Sequence, residues 1–328
     1  EPDHAEHMSG VEMMTGADGL AIEVEGLRLR YGTTNVLHDV AFQVRRGEVL
    51  ALLGPNGAGK TSTIEILEGF RMRSAGRAEV LGTDPARGTE QWRARMGIVL
   101  QSWRDHPKWR VRELLAFQGS LYEPYSTALV RRPWDVDDLL AAVGLTDQAE
   151  RPIKVLSGGQ RRRLDVAIGL VGRPELVFLD EPTTGLDPKA RRDFHELVRR
   201  IRDDFETTVL ITTHDLDEAE KLADRIVILA RGRIVADGTS EELTRQIAGH
   251  DEVRWVQGGE RHERRVPDST AFVRELFARY GADIRALELR RASLEDAYLA
   301  LVKDAESASD DLGTEPSDAV PEPNGAPR

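Results

Sequence analysis

Between residues 20 and 46 apolar and polar positions alternate, with Ala21, Ile22, Val24, Leu27 and Leu29 followed later by Val40, Phe42 and Val44. A period of two is that of half-buried strands, so short strands are predicted here. The unbroken apolar run Val49–Leu53 predicts a buried strand, and Ser62–Leu67 a helix after it. A turn at Ser74-Ala75-Gly76 precedes a strand at Ala78–Leu81, and Met96–Leu100 reads as a buried strand ending on Gln101. From Trp103 to about Arg151 the apolar spacing becomes helical (Val111, Leu114, Leu115, Phe117; then Val136, Leu139, Leu140, Val143), and Pro124, Pro133 and Gly144 divide it. Helices at Arg161–Gly172, Lys189–Ile201 and Leu216–Ala223 then alternate with strands at Leu176–Leu179, Thr208–Thr212, Ile226–Ala230 and Arg233–Asp237. Beyond them, Gly258-Gly259 predicts a hairpin between Val253–Gln257 and Arg261–Val266. A helix at Asp268–Tyr280 stops at Gly281, a strand follows at Asp283–Leu289, and Ser293 caps a helix with Leu294, Ala297, Tyr298, Leu301 and Val302 on one face.

Length and composition narrow the picture. The 328 residues exceed one average domain, and the absence of cysteine excludes a disulfide framework, a thiolate metal site and a cysteine nucleophile. No apolar run approaches the ~20 residues that cross a bilayer, and the N-terminus lacks the basic-then-apolar layout of a secretory signal. A membrane connection is therefore expected through a partner. The net charge of −12 sits mostly at the ends: residues 1–19 hold five acids and no Lys or Arg, and residues 304–328 hold seven acids against Arg328. About −1 remains for residues 20–303, so no nucleic-acid partner is expected. The Ser-, Pro- and acid-rich tail reads as disordered.

Gly54-Pro55-Asn56-Gly57-Ala58-Gly59-Lys60-Thr61 has the G-x-x-x-x-G-K-[ST] spacing of a phosphate-binding loop and lies between a strand and a helix. Glycines let the backbone wrap phosphate oxygens with its N–H groups inward, at a helix N-terminus that favours negative charge. Lys60 is expected on the β- and γ-phosphates, Ser62 beside them, and the Thr61 hydroxyl on Mg²⁺. Tyr31, 29 residues before Lys60, reads either as an adenine-stacking ring or as a strand-end packing residue; beside a phosphate loop, stacking is favoured. Gln101 is a candidate ligand for Mg²⁺ and the attacking water. Asp180 and Glu181 end a strand whose C-terminal edge is where open α/β sheets bind ligands, and adjacent side chains there diverge. Asp180 is assigned to Mg²⁺ and Glu181 to the attacking water. His214, at the end of another strand, is a candidate γ-phosphate clamp. Ser157-Gly158-Gly159-Gln160 opens a helix and forms a second anion cradle, which is expected to serve a nucleotide held by another copy.

These stretches, in this order, resemble the ATP-binding subunit of ABC transporters over residues ~20–245. Gly54–Thr61 is similar to its Walker A loop, Gln101 to the Q-loop, Leu156–Gln160 to the signature, Leu176–Glu181 to Walker B, Leu186-Asp187 to the D-loop and His214 to the switch histidine. Within the family, Glu65–Gly69, Arg161–Asp165 and Ser293–Leu299 resemble ABC-2 type drug-exporter ATPases. The resemblance implies an α/β P-loop NTPase fold with a mixed sheet, an antiparallel β subdomain, a helical subdomain and a small α+β extension. Its boundaries are expected at 1–19 (disordered), 20–248 (ATP-binding, helical part about 103–172), 249–303 (accessory) and 304–328 (disordered tail). It also implies ATP and Mg²⁺ as cofactors, a homo- or heterodimer with Ser157–Gln160 and Asp187 acting in trans, and a separate permease. The location implied is the cytoplasmic face of the membrane.

Two rivals are soluble ABC ATPases acting on ribosomes or DNA and a nucleotide sensor without turnover. The first types carry two cassettes or a long coiled coil, whereas 54 residues without heptads separate Gln101 from Leu156. The intact Glu181 and His214 argue against the second. Trp103, Arg104, His106, Lys108, Trp109 and Arg110 read as a partner-contact surface or as a solvated loop with one buried Trp.

Overall fold

The computed structural model describes residues 19–99, 107–245, 251–290, 293–299 and 301–302. The expected disordered ends, apart from Gly19, lie outside these residues, as do Gln101, Trp103, Arg104 and His106.

The alternating stretch at the start forms two long strands rather than several short ones. β1 (Leu20–Tyr31) and β2 (Thr34–Arg45) make an antiparallel hairpin closed by Gly32-Thr33, with Gly32 at φ 56°. Register shifts along β1 absorb the breaks in alternation that the sequence displays as separate strands. β3 (Val49–Leu53) leads into α1 (Lys60–Leu67), and β4 (Ala75–Val80) pairs with the free edge of β1. The turn expected at Ser74–Gly76 is largely strand. Gly76, at φ 87°, passes so near Gly26 that a Cβ would stand 2.2 Å from its carbonyl oxygen, an approach open only to glycine.

A short α2 (Glu90–Arg93) precedes β5 (Met96–Val99). The helical region contains α3 (Val111–Ser120), α4 (Val136–Ala142) and α5 (Gly158–Leu170). β6 (Leu176–Asp180), α6 (Pro188–Phe205), β7 (Thr208–Thr213), α7 (Leu216–Leu222), β8 (Arg225–Ala230), β9 (Arg233–Gly238) and α8 (Ser240–Leu243) complete the nucleotide-binding part.

Six strands form one sheet in the order β5-β6-β7-β3-β8-β9, parallel except for β9. Strand alternation divides its side chains between two layers. Val177 and Leu179 of β6, with Val209 and Ile211 of β7, join the core beneath α3–α6. Leu176, Phe178 and Leu210 face the other way, onto α1 and the β2-β1-β4 sheet. Both faces are covered, so β3, β6 and β7 have the continuous apolar runs of buried parallel strands. Truncating one such leucine to alanine typically costs ~2–5 kcal/mol. The layers hold the C-terminal ends of β3, β6 and β7 side by side.

β10 (Asp251–Gln257), β11 (Glu260–Val266), α9 (Ser269–Tyr280) and β12 (Ile284–Arg290) form an antiparallel sheet, β11-β10-β12, with its own core of Val253, Trp255, Val266, Leu276 and Ile284. The helix after Ser293 packs elsewhere. Leu294 is buried with Leu53, Ala219, Ile228 and Leu243 of the nucleotide-binding part, and Tyr298 and Leu301 lie against the same cluster. By packing, the expected 249–303 unit divides: its sheet and α9 are self-contained, while its last helix is seated on the main body.

Candidate active site

β3 ends at Leu53, and the Gly54 N–H donates to the Thr213 carbonyl (3.2 Å), fastening the loop to the end of β7. A Cβ on Gly54 would lie 2.1 Å from the Leu229 carbonyl oxygen. Gly57 and Gly59 have φ of 79° and 107°, the left-handed region that other residues adopt only at a cost. The loop enters α1 with no side chain capping its N-terminus, leaving the first-turn N–H groups available to an anion. Lys60, 5% exposed, folds back so that Nζ donates to the Gly54 and Pro55 carbonyls at 2.7 and 3.2 Å. Burial pulls its pKa below that of an ordinary lysine, opposed by the charges of Glu181 and Asp180. Thr61 and Asn56 are exposed on this rim, Pro55 and Ser62 partly so, and Ala58 is buried.

Asp180 ends β6 and Glu181 follows it, and the backbone turns between the two carboxylates. Glu181 has φ 42°, a left-handed conformation that turns the chain sharply after Asp180. Its N–H donates to the Thr212 carbonyl and hydroxyl, each at 3.1 Å. That same hydroxyl donates to Asp180 Oδ1 at 2.5 Å. Thr212 thus fixes both acids. Glu181 Oε1 then lies 3.5 Å from Lys60 Nζ and 3.3 Å from His214 Nδ1. Lys60 and His214 thus meet at one carboxylate oxygen of Glu181. Gln101 lies outside the described residues.

Tyr31 is 43% exposed, and the Arg71 guanidinium sits 4.9 Å over its ring, held by Glu65 at 2.6 Å. The ring is partly presented to solvent, with Arg71 over it.

Ser157 caps α5 by accepting from the Gln160 N–H (3.3 Å), while the Gln160 side chain accepts from the Ser157 N–H (3.0 Å). The sequence places the helix start at Arg161, but the capping box extends it to Gly158. Ser157, Gly158, Gly159 and Gln160 share a cavity of about 430 Å³ with Gly185, Leu186 and Asp187. All five residues assigned a role in trans line this one cleft, and no residue of 54–62 does. Asp187 accepts from the Lys189 and Ala190 N–H groups as the N-cap of α6.

Two buried acids here have no role assigned from the sequence. Glu218 is taken up below. Glu68, the C-cap of α1, is 4% exposed; burial, then the charges of Asp180 and Glu65, push its carboxyl up to about 8. Between an unfolded value of 4.5 and about 8, the folded chain keeps a proton that the unfolded chain releases. The stabilising effect is complete below 4.5 and is lost as pH rises toward 8. Glu68→Gln is expected to remove that slope and to raise stability near pH 8 by a few kcal/mol, on the order of what such a shift implies. Urea midpoints at pH 5 and pH 8.5 test this, and an unchanged slope in the variant would refute it.

The donors suit a nucleotide and a hard cation. Uncapped helix N–H groups and an ammonium face the loop, and a hydroxyl and a carboxylate, Thr61 and Asp180, could share a cation. Among the described residues no three acidic or histidine side chains cluster as a metal site, so Mg²⁺ would depend on the phosphates for further ligands.

The comparisons agree with this geometry. The family model described as ABC transporter matches residues 37–184. The Nod factor export ATP-binding protein I of Ralstonia nicotianae is 40% identical over 71% of each chain. The daunorubicin/doxorubicin resistance ATP-binding protein DrrA of Streptomyces peucetius is 35% identical over 90% of this chain and 95% of that one. This chain belongs to the ABC transporter ATP-binding family. Among solved structures, an ATP-binding subunit of an ABC transporter superposes with a TM-score of 0.59 at 26% identity, covering 86% of this chain and 99% of that one. The ABC ATPase fold and the ATPase activity expected from the motifs are thereby established.

Proposed function

We propose that this chain is the ATP-hydrolysing subunit of an ABC exporter, working as a dimer beneath a separately encoded permease at the cytoplasmic face of the membrane. The observation that carries the hydrolytic part is the meeting of Lys60 and His214 at Glu181 Oε1. In this reading Gly54–Ser62 cradles the phosphates, with Lys60 turning from its carbonyl partners to the β- and γ-phosphates. Tyr31 stacks on the adenine, and Thr61, Asp180 and Gln101 would hold Mg²⁺, which when bound would supply charge neutralisation at the phosphates. Glu181 orients the attacking water and accepts its proton, while His214 keeps the carboxylate aligned. Such catalysis is positioning plus charge stabilisation.

The second cradle supports a dimer. Its cleft is built by Ser157–Gln160 and Asp187 without any Walker A residue, so one chain completes it by facing a partner's nucleotide. Export, as opposed to import, is supported by the relatives, a Nod factor export ATP-binding protein and a drug-resistance ATP-binding protein. No described helix is long and apolar enough to cross a membrane, which agrees with a separate permease.

The docking segment reads differently with side chains in place. Trp109 packs on the helical core and stacks edge-on against Phe117 (5.4 Å), and Arg110 pairs with Glu150 at 2.8 Å. Phe117 of α3 is 50% exposed and Leu121, the C-cap one turn on, 53%, and together they offer one apolar surface to a permease.

The protein should pellet with membrane vesicles from its own cells and stay in solution with bare lipid vesicles. Phe117→Ser/Leu121→Ser should lose that recruitment while keeping ATPase activity. Equal binding to bare vesicles, or none to either, would remove the exporter reading.

A further inference from the structure

α6 and α7 each begin at a functional loop. α6 opens at Asp187, in the cleft shared with the signature loop, and α7 opens at Asp215, directly after His214. The His214 side chain is 49% exposed, and its one hydrogen-bonding or ionic partner among the described residues is Glu181. The ring's place is therefore set by the backbone that carries it.

Two contacts fix that backbone to α6. Asp215 Oδ1 accepts from the Asp217 and Glu218 N–H groups as the cap of α7, and its Oδ2 accepts from Arg191 Nη1 of α6 at 2.7 Å. One turn further along each helix, His195 Nε2 faces Glu218 Oε1 at 4.0 Å. His195 and Glu218 are 5% and 2% exposed, and neither of these two atoms has a hydrogen bond. Burial pushes the Glu218 carboxyl above the usual carboxylate range, opposed in part by hydrogen bonding from the Thr213 and Thr183 hydroxyls. Thr213 immediately precedes His214, and Thr183 follows Glu181 by two residues. One buried carboxyl thus stands against both segments that carry the reacting side chains.

We propose that Arg191 and Glu218 are positioning residues of the ATPase site, a two-rung brace from α6 to α7 that holds His214 against Glu181. The proposal rests on the reading of Lys60, Glu181 and His214 as the hydrolytic centre. Because α6 also carries Asp187, a shift of α6 in the signature cleft would be passed to His214 through the same two rungs. Removing either rung leaves the nucleotide cradle untouched, so the loss should fall on turnover and not on binding.

The test is steady-state ATP hydrolysis and ATP binding by purified full-length variants. Arg191→Gln and Glu218→Met should each lower kcat by about tenfold while the Kd for ATP stays within about twofold, the split expected of misplacement in the transition state alone. Arg191→Lys and Glu218→Gln, which keep a donor and an acceptor in place, should recover most of the loss. In single-turnover assays on a His214→Ala background, Arg191→Gln should cost nothing further. Arg191 is partly exposed, so its variants report even if Glu218→Met proves unstable. Wild-type kcat in Arg191→Gln, or an equal loss with and without His214, would overturn the brace. A wild-type protein that fails to hydrolyse ATP, or whose Lys60→Ala variant does so equally well, would overturn the reading of the site itself.

Discussion

Purified Glu181→Gln protein is expected to bind ATP normally and to lose hydrolysis by ~10²–10⁴-fold, the contribution typical of a positioned general base. The substitution keeps the Cβ geometry, so the left-handed turn at φ 42° and the two bonds from its N–H to Thr212 persist. Removed are the base and the negative charge 3.5 Å from Lys60 and 3.3 Å from His214. That charge is the strongest influence opposing the burial of Lys60, so the lysine pKa should fall further in the variant. With hydrolysis blocked, the nucleotide that bridges Gly54–Thr61 and a partner's Ser157–Gln160 should stay in place. Light scattering with ATP should then record a doubled mass that disappears without nucleotide. Turnover within a few-fold of wild type would remove Glu181 from the role of base, and a monomer with ATP bound would remove the two-subunit sandwich.

Much of the site could be read from the sequence because its parts are local. A phosphate loop is eight consecutive residues, and Asp180-Glu181 adjoins the strand that aims it. Apolar runs similarly marked β3 and β6, where burial on both faces leaves Val49–Leu53 and Leu176–Leu179 without a polar position to confuse the period. Longer-range features were hidden for physical reasons. The bulges of β1 interrupt alternation, so one 12-residue strand looks like several. Gly76 signals a turn by composition, yet it serves close passage of Gly26, which depends on a partner 50 residues away. Glu68 and Glu218 look like ordinary acids at helix ends until the layers close over them. Their burial is decided by β6, α6 and β7, not by their neighbours in the chain. The usable signal for Glu218 was its helical spacing from Asp215, the i, i+3 pair that a cap creates. The seat of the final helix was likewise unreadable: its apolar face was clear, but not which core would receive it.

Lys60→Ala is expected to abolish ATP-dependent stabilisation while leaving the nucleotide-free protein at least as stable as wild type. A buried ammonium carries a desolvation cost, which is why burial is the leading influence on its pKa. Without phosphate it is satisfied only by the Gly54 and Pro55 carbonyls and the nearby Glu181 carboxylate. Alanine gives up those contacts together with the cost, and Glu181, itself only partly buried, retains His214 as a neighbour. With nucleotide present the balance reverses. Hydrogen bonds to charged groups contribute ~1.5–3 kcal/mol each, so losing those to the β- and γ-phosphates should weaken affinity by roughly 10²–10⁴-fold. In wild type, ATP at about a hundred times its Kd should add ~2.7 kcal/mol of stability. The variant at the same concentration should gain almost none, and its turnover should fall with its affinity. Thermal melts with and without ATP separate the two effects: a variant that melts early without ATP would make Lys60 a structural residue, and one that retains the ATP-induced shift would show that the loop does not bind phosphate through this side chain.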